Sequence, residues 1–521
     1  MTSGLHHITL IARKVQANVD FYAGFLGLRL VKRTGGFEDA TQLHLFYGDA
    51  VASPGSLVTF LVWEDGSPGR VGHGAPSEIA FAIRPEAIGF WLTRSLRSGV
   101  RTSGPAIEFG EPVLRFTDPD GVIVKLVGTV DNIPSNPWIQ RGIPEADAIR
   151  RLRGATILSE RPRETIAFLA EYMGFMELTQ EKAQTRLISE GKDVIDVRDA
   201  GGFWTAAPGT GTIDHIAVRA PDRDHVEGVS RRLKDELHGQ TVVHDRKYFY
   251  SLYVREPSGT LIELASDGPG FSVDEPVEKL GQELFIPPHF ARDDADIRSM
   301  LPQFGLPGEP RTVYRDLPFV HRIHEPERPD GSSIILLHGT GGNEASLMPF
   351  GRRLAPNATL IGLRGRSTEE GTPRFFRRLG DVAFDQKDIV AEAEALAAFV
   401  DEAVASYGLD PARMTFVGYS NGANMLGAAM LLQPLRASKA ILLRPMMVLE
   451  QALAVNLNGV KVLMVTGRDD PYAPYAGNLE GAMRAASADV THEVVAGGHA
   501  LADADSEIAG AWLSAVGIQQ Q

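Results

Sequence analysis

Two histidines and one glutamate have the types and the parity to hold a metal ion. In LHHITL, which starts at Leu5, Ile8 and Leu10 form the apolar face of a strand, so His7 and Thr9 face the other way. In HIAVRA, which starts at His215, Ile216 and Val218 are the apolar pair, which puts His215 and Ala217 opposite. In LIEL, Ile262 and Leu264 are apolar and Glu263 is opposite. Two neutral imidazoles and one carboxylate hold Fe(II) and leave coordination positions open for substrate oxygens and for O2. A lone histidine is more often a polar residue with a local partner; three ligands at matched positions point to a metal centre. Such chemistry also needs a proton shuttle. The candidates are Tyr253, on the strand leading to Glu263, and His6, His44 and His244; parity turns His6 away from the metal.

A second set can do nucleophilic chemistry. GYSNG (Gly418–Gly422) fits the G-x-S-x-G turn that projects a serine between a strand and a helix. Asp470 follows the buried strand KVLMVTG, and His499 precedes the last helix in AGGHA. The chain order Ser, Asp, His is that of the α/β-hydrolases. Ser420 would attack a carbonyl carbon, His499 would take its proton, and Asp470 would orient the imidazole. Asp469 is the competing acid. HGTGG (His338–Gly342) stands where the oxyanion loop belongs, so the N–H groups of Thr340 and Asn421 are the expected oxyanion donors. A phosphate cradle would need GK[ST] after the glycines, and none follows.

Repeats organise the elements that carry the first set. GLHHITLIARKVQANVDFYAGFLGLRL and RLRGATILSERPRETIAFLAEYMGFMEL each read as strand, turn, amphipathic helix and a closing glycine. FTDPDGVIVKL matches VREPSGTLIEL, and each is preceded by a short strand, EIAFAI or HIAVRA. The spacing predicts four βαβββ modules in two pairs, residues 1–145 and 146–270. The positions equivalent to His7, His215 and Glu263 in the other modules are Gly154, Glu78 and Lys125. That set binds no divalent ion well, so one metal site is expected. Residues 271–310, rich in Pro, Gly and charge, read as a linker or lid with a helix near Asp293–Leu301. Residues 311–521 alternate continuous apolar strands with helices, the pattern of an α/β-hydrolase domain with a mostly parallel sheet. The fold class is therefore multidomain: α+β paired modules, then α/β.

The four-module pattern resembles the vicinal-oxygen-chelate superfamily of glyoxalases, bleomycin-resistance proteins and extradiol dioxygenases. LHHITL, DFYAGFLGLRLVKRT, HLFYGD, DRKYFYSLYVREPSGTLIELASDGPGF and LGQELFIPPHF look like the ring-cleaving hydroquinone dioxygenases, from about Gly4 to about Phe290. The resemblance implies Fe(II) at His7, His215 and Glu263, with Mn(II) as the alternative and O2 as co-substrate, and it favours Tyr253 near the metal. Commoner catechol-cleaving enzymes put the first ligand on the third module. Gly154 stands there, which favours the hydroquinone-cleaving branch. LLHGTGGNE, LRGR, EGTPRFFRRL and GYSNGAN resemble the phospholipase/carboxylesterase hydrolases, about Ile334 to Val516. That resemblance implies small ester or thioester substrates and no cofactor.

Composition narrows the field. The 66 acidic and 52 basic residues leave a net charge of -14, which argues against nucleic acid and anionic membranes as partners. The 521 residues include no cysteine, so disulfides, thiolate metal sites and a cysteine nucleophile are excluded. No apolar run approaches the ~18 residues of a membrane span, and the start lacks a basic-then-apolar leader. The expectation is a cytoplasmic fusion enzyme for small aromatic and ester-like molecules, with a homo-oligomer left open. The alternatives are a glyoxalase-type isomerase, or a non-catalytic binding module, fused to an active serine esterase.

Overall fold

A computed structural model describes residues 4–131, 135–140, 142–237, 241–433, 435–451 and 455–518. The chain divides into two units, Met1–Ala291 with Phe304–Arg311, and Arg292–Gln303 with Thr312–Gln521.

The first unit contains two mixed sheets. In each βαβββ module the first strand pairs on one edge with the last strand of its own module, as Leu5–Ala12 does, in parallel, with Leu57–Val62. Its other edge needs a partner, because unpaired buried N–H and C=O groups are costly. Leu5–Ala12 finds it in Thr212–Ala220, antiparallel, the first strand of the fourth module. Ala75–Ile83 and Arg151–Ser159, first strands of the second and third modules, pair in the same way. The nine-stranded sheet thus joins modules one and four, and the eight-stranded sheet joins modules two and three. This corrects the expected grouping of residues 1–145 and 146–270 as two pairs. The sequence reveals the free edge of each first strand but not which free edge it meets. Only the observed pairing lets His7 share a sheet with His215 and Glu263.

The modules match element by element. The helix Pro162–Met173 buries Phe168, Leu169 and Tyr172 and ends at Gly174, whose φ is 70°. Its counterpart starts as Val15–Val19 and widens to i→i+5 bonding over Asp20–Phe25, where Leu26 N–H donates to Phe21 O at 2.8 Å. The acid-Pro-x-Gly turns also correspond: Gly121 and Gly259, at φ 100° and 106°, donate back to Asp118 and Glu256.

Residues 271–310 are not a free linker. Leu284–Phe285 adds a ninth strand beside Arg29–Gly35, and buried Lys32 pairs with Asp274 and Glu275 at 3.0 and 2.5 Å. The helix Asp294–Met300 belongs to the second unit, where Asp296 takes Arg352 at 2.6 Å.

The second unit is built on a seven-stranded sheet in the order His321–His324, Thr359–Leu363, Ser333–Leu337, Met414–Tyr419, Lys439–Leu443, Lys461–Gly467, Asp489–Val495. All neighbours are parallel except the first pair. Its five central strands are buried on both faces, which explains their continuous apolar runs. Among the described residues no helix is long and apolar enough to cross a membrane.

The eight-stranded sheet repeats the site's register with different residues. Thr9 lies opposite His215, and Ala217 opposite Glu263; likewise Thr156 lies opposite Glu78, and Ala80 opposite Lys125. Buried Lys125 Nζ sits 3.2 Å from both Glu78 Oε2 and Thr156 Oγ1, and 3.9 Å from Asp196. At the position of His7 stands Gly154, where an added Cβ would fall 2.3 Å from Val194 O. No ligand side chain fits there, and an ammonium occupies the polar interior instead. Lys125→Ala is expected to cost about 2 kcal/mol, because it removes a buried ammonium from Glu78 and Asp196, which keep Arg115 and Arg186 as partners. Thermal melting should show a first unit destabilised by several degrees with unchanged metal content.

Candidate active sites

In the first unit the register converges three donors. His7 Nε2 lies 3.1 Å from Glu263 Oε2, His215 Nε2 lies 2.8 Å from the same oxygen, and the two nitrogens are 3.3 Å apart. One ligand atom from each falls within 4.8 Å of the others, and all three residues are buried. Both Glu263 oxygens are inaccessible and lack a properly directed hydrogen bond. Two imidazole nitrogens and a carboxylate crowded together in a buried site are a donor set that a metal cation can complete.

The remaining imidazole nitrogens are engaged, which aims each Nε2 at the common point. His215 Nδ1 meets Asp214 Oδ2 at 2.7 Å, and His7 Nδ1 meets His6 Nδ1 at 2.9 Å. Burial opposes charge throughout the site. It would raise the Glu263 carboxyl, but His7 and His215 hold it well below its ordinary value. Burial would lower His215, yet Asp214 and Glu263 push it up to about 9.

A cavity of about 380 Å³ opens on His7 and His215, lined among others by Thr9, His44, Phe46, Arg246, Phe249 and Tyr253. Tyr253 lies opposite Glu263 in register, and burial followed by the Glu263 charge raises its hydroxyl well above the usual tyrosine value. His44 lines the cavity with Nε2 3.1 Å from Thr59 Oγ1, and burial takes it down to about 3. His244 packs edge-on to Tyr253 at 5.9 Å. His6 opens on a separate cavity of about 270 Å³, as parity requires, while still supporting His7. None of the described residues lining the metal-side cavity comes from 271–310. Asp214 and Arg246 escaped the sequence reading. Asp214 sits on the opposite parity to His215, and only its side-chain bend reaches the ring.

In the second unit Ser420, His499 and Asp470 form a chain: Ser420 Oγ lies 2.8 Å from His499 Nε2, and His499 Nδ1 lies 2.9 Å from Asp470 Oδ2. Asp470 is buried while Asp469 is exposed and outside the chain. Ser420 has φ 51° and ψ -115°, a strained conformation for a residue with a Cβ. Both flanking glycines are required. A Cβ on Gly418 would lie 2.6 Å from Gly422 O, and one on Gly422 would lie 2.1 Å from Leu337 O. Asn421 opens the helix Asn421–Leu432, so its N–H lacks an intrahelical acceptor. Thr340 and Asn421 both line the cavity beside Ser420. His338, from the same loop as Thr340, accepts the Gly365 N–H at 3.0 Å and so fixes that loop. Buried Arg444, missed from sequence, forks onto Asp505 at 2.7 and 3.0 Å and donates to Gly498 O, anchoring the segment before His499.

Residues 4–126 match the glyoxalase/bleomycin resistance protein/dioxygenase superfamily, and residues 320–505 match the phospholipase/carboxylesterase family. A relative from Bacillus subtilis named "Putative ring-cleaving dioxygenase MhqO" is 36% identical over 315 residues, covering 60% of this chain and 98% of the relative. The chain belongs to the ring-cleaving dioxygenase branch of that superfamily, joined to a carboxylesterase-family hydrolase domain. The chlorohydroquinone/hydroquinone 1,2-dioxygenase of Sphingobium indicum is 32% identical to the dioxygenase unit, covering 55% of this chain and 91% of that protein. For the hydrolase unit, the B. subtilis protein named "Putative hydrolase MhqD" is 36% identical over 181 residues, covering 34% of this chain and 90% of that protein.

The buried neutral histidines make the metal-free dioxygenase unit acid-sensitive. Unfolded His44 takes a proton near 6.5, whereas the folded residue resists until about 3. The unfolded state therefore binds more protons in that window, and stability falls on acidification by up to roughly 1.4 kcal/mol per pH unit. His215 acts in the opposite sense: its raised pKa adds stability below 6.5 that is lost as pH rises through about 9. Melting curves of metal-free wild type and His44→Gln at pH 7 and pH 5 isolate the first effect. The variant should lose less stability between the two.

Proposed function

We propose that the chain is a bifunctional enzyme. Its first unit is an Fe(II)-dependent, extradiol-type ring-cleaving dioxygenase for hydroquinone- or catechol-like aromatics, with His7, His215 and Glu263 as metal ligands. Its second unit is a serine carboxylesterase with Ser420 as nucleophile. The observation that carries the first part is the buried convergence of three donors within 4.8 Å. The hydroquinone class is supported by the likeness to the chlorohydroquinone/hydroquinone dioxygenase. When bound, Fe(II) would supply Lewis acidity toward a phenol oxygen and a place for O2; Mn(II) suits the same donors.

The chain's own residues do the rest. Asp214 and His6 orient the ligand imidazoles. Phe46, Leu61 and Phe249 offer apolar walls to an aromatic ring. Tyr253 keeps its proton at neutral pH and can hand it to an oxygen of the substrate as charge develops there. Glyoxalase-type isomerisation would call for a further carboxylate on the metal. Asp214 is engaged by His215, and Glu38 by Arg246 at 2.8 Å, which counts against that reading. In the hydrolase, Ser420 attacks as His499 takes its proton, Asp470 steadies the imidazolium, and the Asn421 and Thr340 N–H groups receive the oxyanion.

Anaerobically purified, Fe(II)-loaded protein should consume O2 when given a hydroquinone or catechol. His7→Ala should abolish the uptake and retain ester hydrolysis. Ser420→Ala should do the reverse, lowering ester hydrolysis by roughly 10⁴-fold or more. Oxygen uptake that survives in His7→Ala would sink the dioxygenase reading. Asp214→Ala should weaken Fe(II) binding about 10- to 100-fold, read by competition with a chelator.

A further inference from the structure

The cavity beside Ser420 measures about 220 Å³, room for a short acyl group, and three arginines line it: Arg374, Arg378 and Arg444. Two are already engaged. Arg444 grips Asp505 in a fork. Arg378 donates to Gly380 O at 2.8 Å and to the Asp381 carboxylate at 3.0 Å. Arg374 differs. Among the described residues its guanidinium has neither a carboxylate nor a carbonyl partner, and its Nε is buried with no acceptor.

Its position is fixed from both sides. Pro373 O accepts the N–H of Gly341, the residue after Thr340, at 2.9 Å. Phe375 N–H donates to Asn421 Oδ1 at 2.7 Å. Arg374 itself exchanges backbone hydrogen bonds with Ser367 at 2.8 and 3.0 Å. The segment is therefore tied to both loops that carry the oxyanion donors. Arg374 is only partly buried and lines the cavity, so a ligand there can meet its unpaired charge. The planar guanidinium fork matches a carboxylate in two parallel bonds.

We infer that Arg374 sets the specificity of the hydrolase by receiving the carboxylate of a short anionic acyl ester or thioester. The inference rests on Ser420 being the nucleophile. The substrate is then a half-ester of a small dicarboxylic acid: one acyl carbon at Ser420, the free carboxylate on Arg374. Neutral long-chain esters lack the anion and exceed the cavity.

The test compares p-nitrophenyl butyrate with mono-p-nitrophenyl glutarate, which share a leaving group and differ mainly in a terminal carboxylate. Wild type should favour the charged ester by tenfold or more in kcat/KM, mostly through KM, with the preference shrinking in high salt. Arg374→Gln should collapse the ratio to about one or below, Arg374→Lys should restore part of it, and Arg374→Glu should invert it. The ratio is insensitive to the fraction of folded enzyme. An unchanged ratio in Arg374→Gln, or no preference in wild type, overturns the inference. Failure of the nucleophile assignment is a separate signal: hydrolysis of both esters would survive Ser420→Ala.

Discussion

The antiparallel pairing of Leu5–Ala12 with Thr212–Ala220 is the contact on which the first unit's chemistry depends. It sets His7 opposite Ala217 and Thr9 opposite His215, and Thr212–Ala220 in turn runs parallel to the strand that carries Glu263. His7 thus reaches one point with two side chains more than two hundred positions away in sequence, His215 and Glu263, from adjacent strands. Side chains alternate faces along a strand, so a slip of one residue would turn His7 away from the cavity and present His6 and Ile8. The site is as exact as the register.

The same framework exists twice, and the two copies treat their polar interior differently. In one sheet His7, His215 and Glu263 leave buried acceptors that a cation would satisfy. In the other, Lys125 supplies a fixed positive charge among Glu78, Thr156 and Asp196. A buried carboxylate needs a cation in either case, and a covalently attached ammonium does so permanently. The lysine-centred copy therefore contributes structure, and the proposed metal-centred copy retains open coordination positions for chemistry. The close approach of Val194 O to Gly154 closes off a ligand at the position equivalent to His7.

The hydrolase unit solves a different problem. It must hold Ser420 in an unfavourable backbone conformation, and it does so by packing. Gly418, Gly422 and the backbone of Leu337 approach too closely for any Cβ between them. Arg444, Asp505 and the carbonyls beside His499 then fix the base. The stiffness of this surround is what makes an unpaired Arg374 informative. Its segment is anchored by Gly341 and Asn421, which holds the backbone of Arg374 beside the cavity.

Much of this was written in the sequence. Strand parity alone put His7, Thr9, His215 and Glu263 on inward faces, because alternation is a local property. The module repeat identified Gly154, Glu78 and Lys125 as counterparts, because repeated units keep equivalent strand positions. Chain order and the glycine spacing located Ser420, Asp470 and His499, because the strained turn accepts few residue types. What the sequence left undetermined was non-local. Which first strands pair depends on the meeting of free edges far apart in the chain, and nothing in a single module names its partner. The D-P turn at a strand exit already preferred Asp470 over Asp469, and the fold adds that Asp470 is buried while Asp469 is exposed. Asp214, Arg444 and Arg374 were invisible for the same reason: a charged residue in a sequence looks solvated until the fold reveals which groups face it.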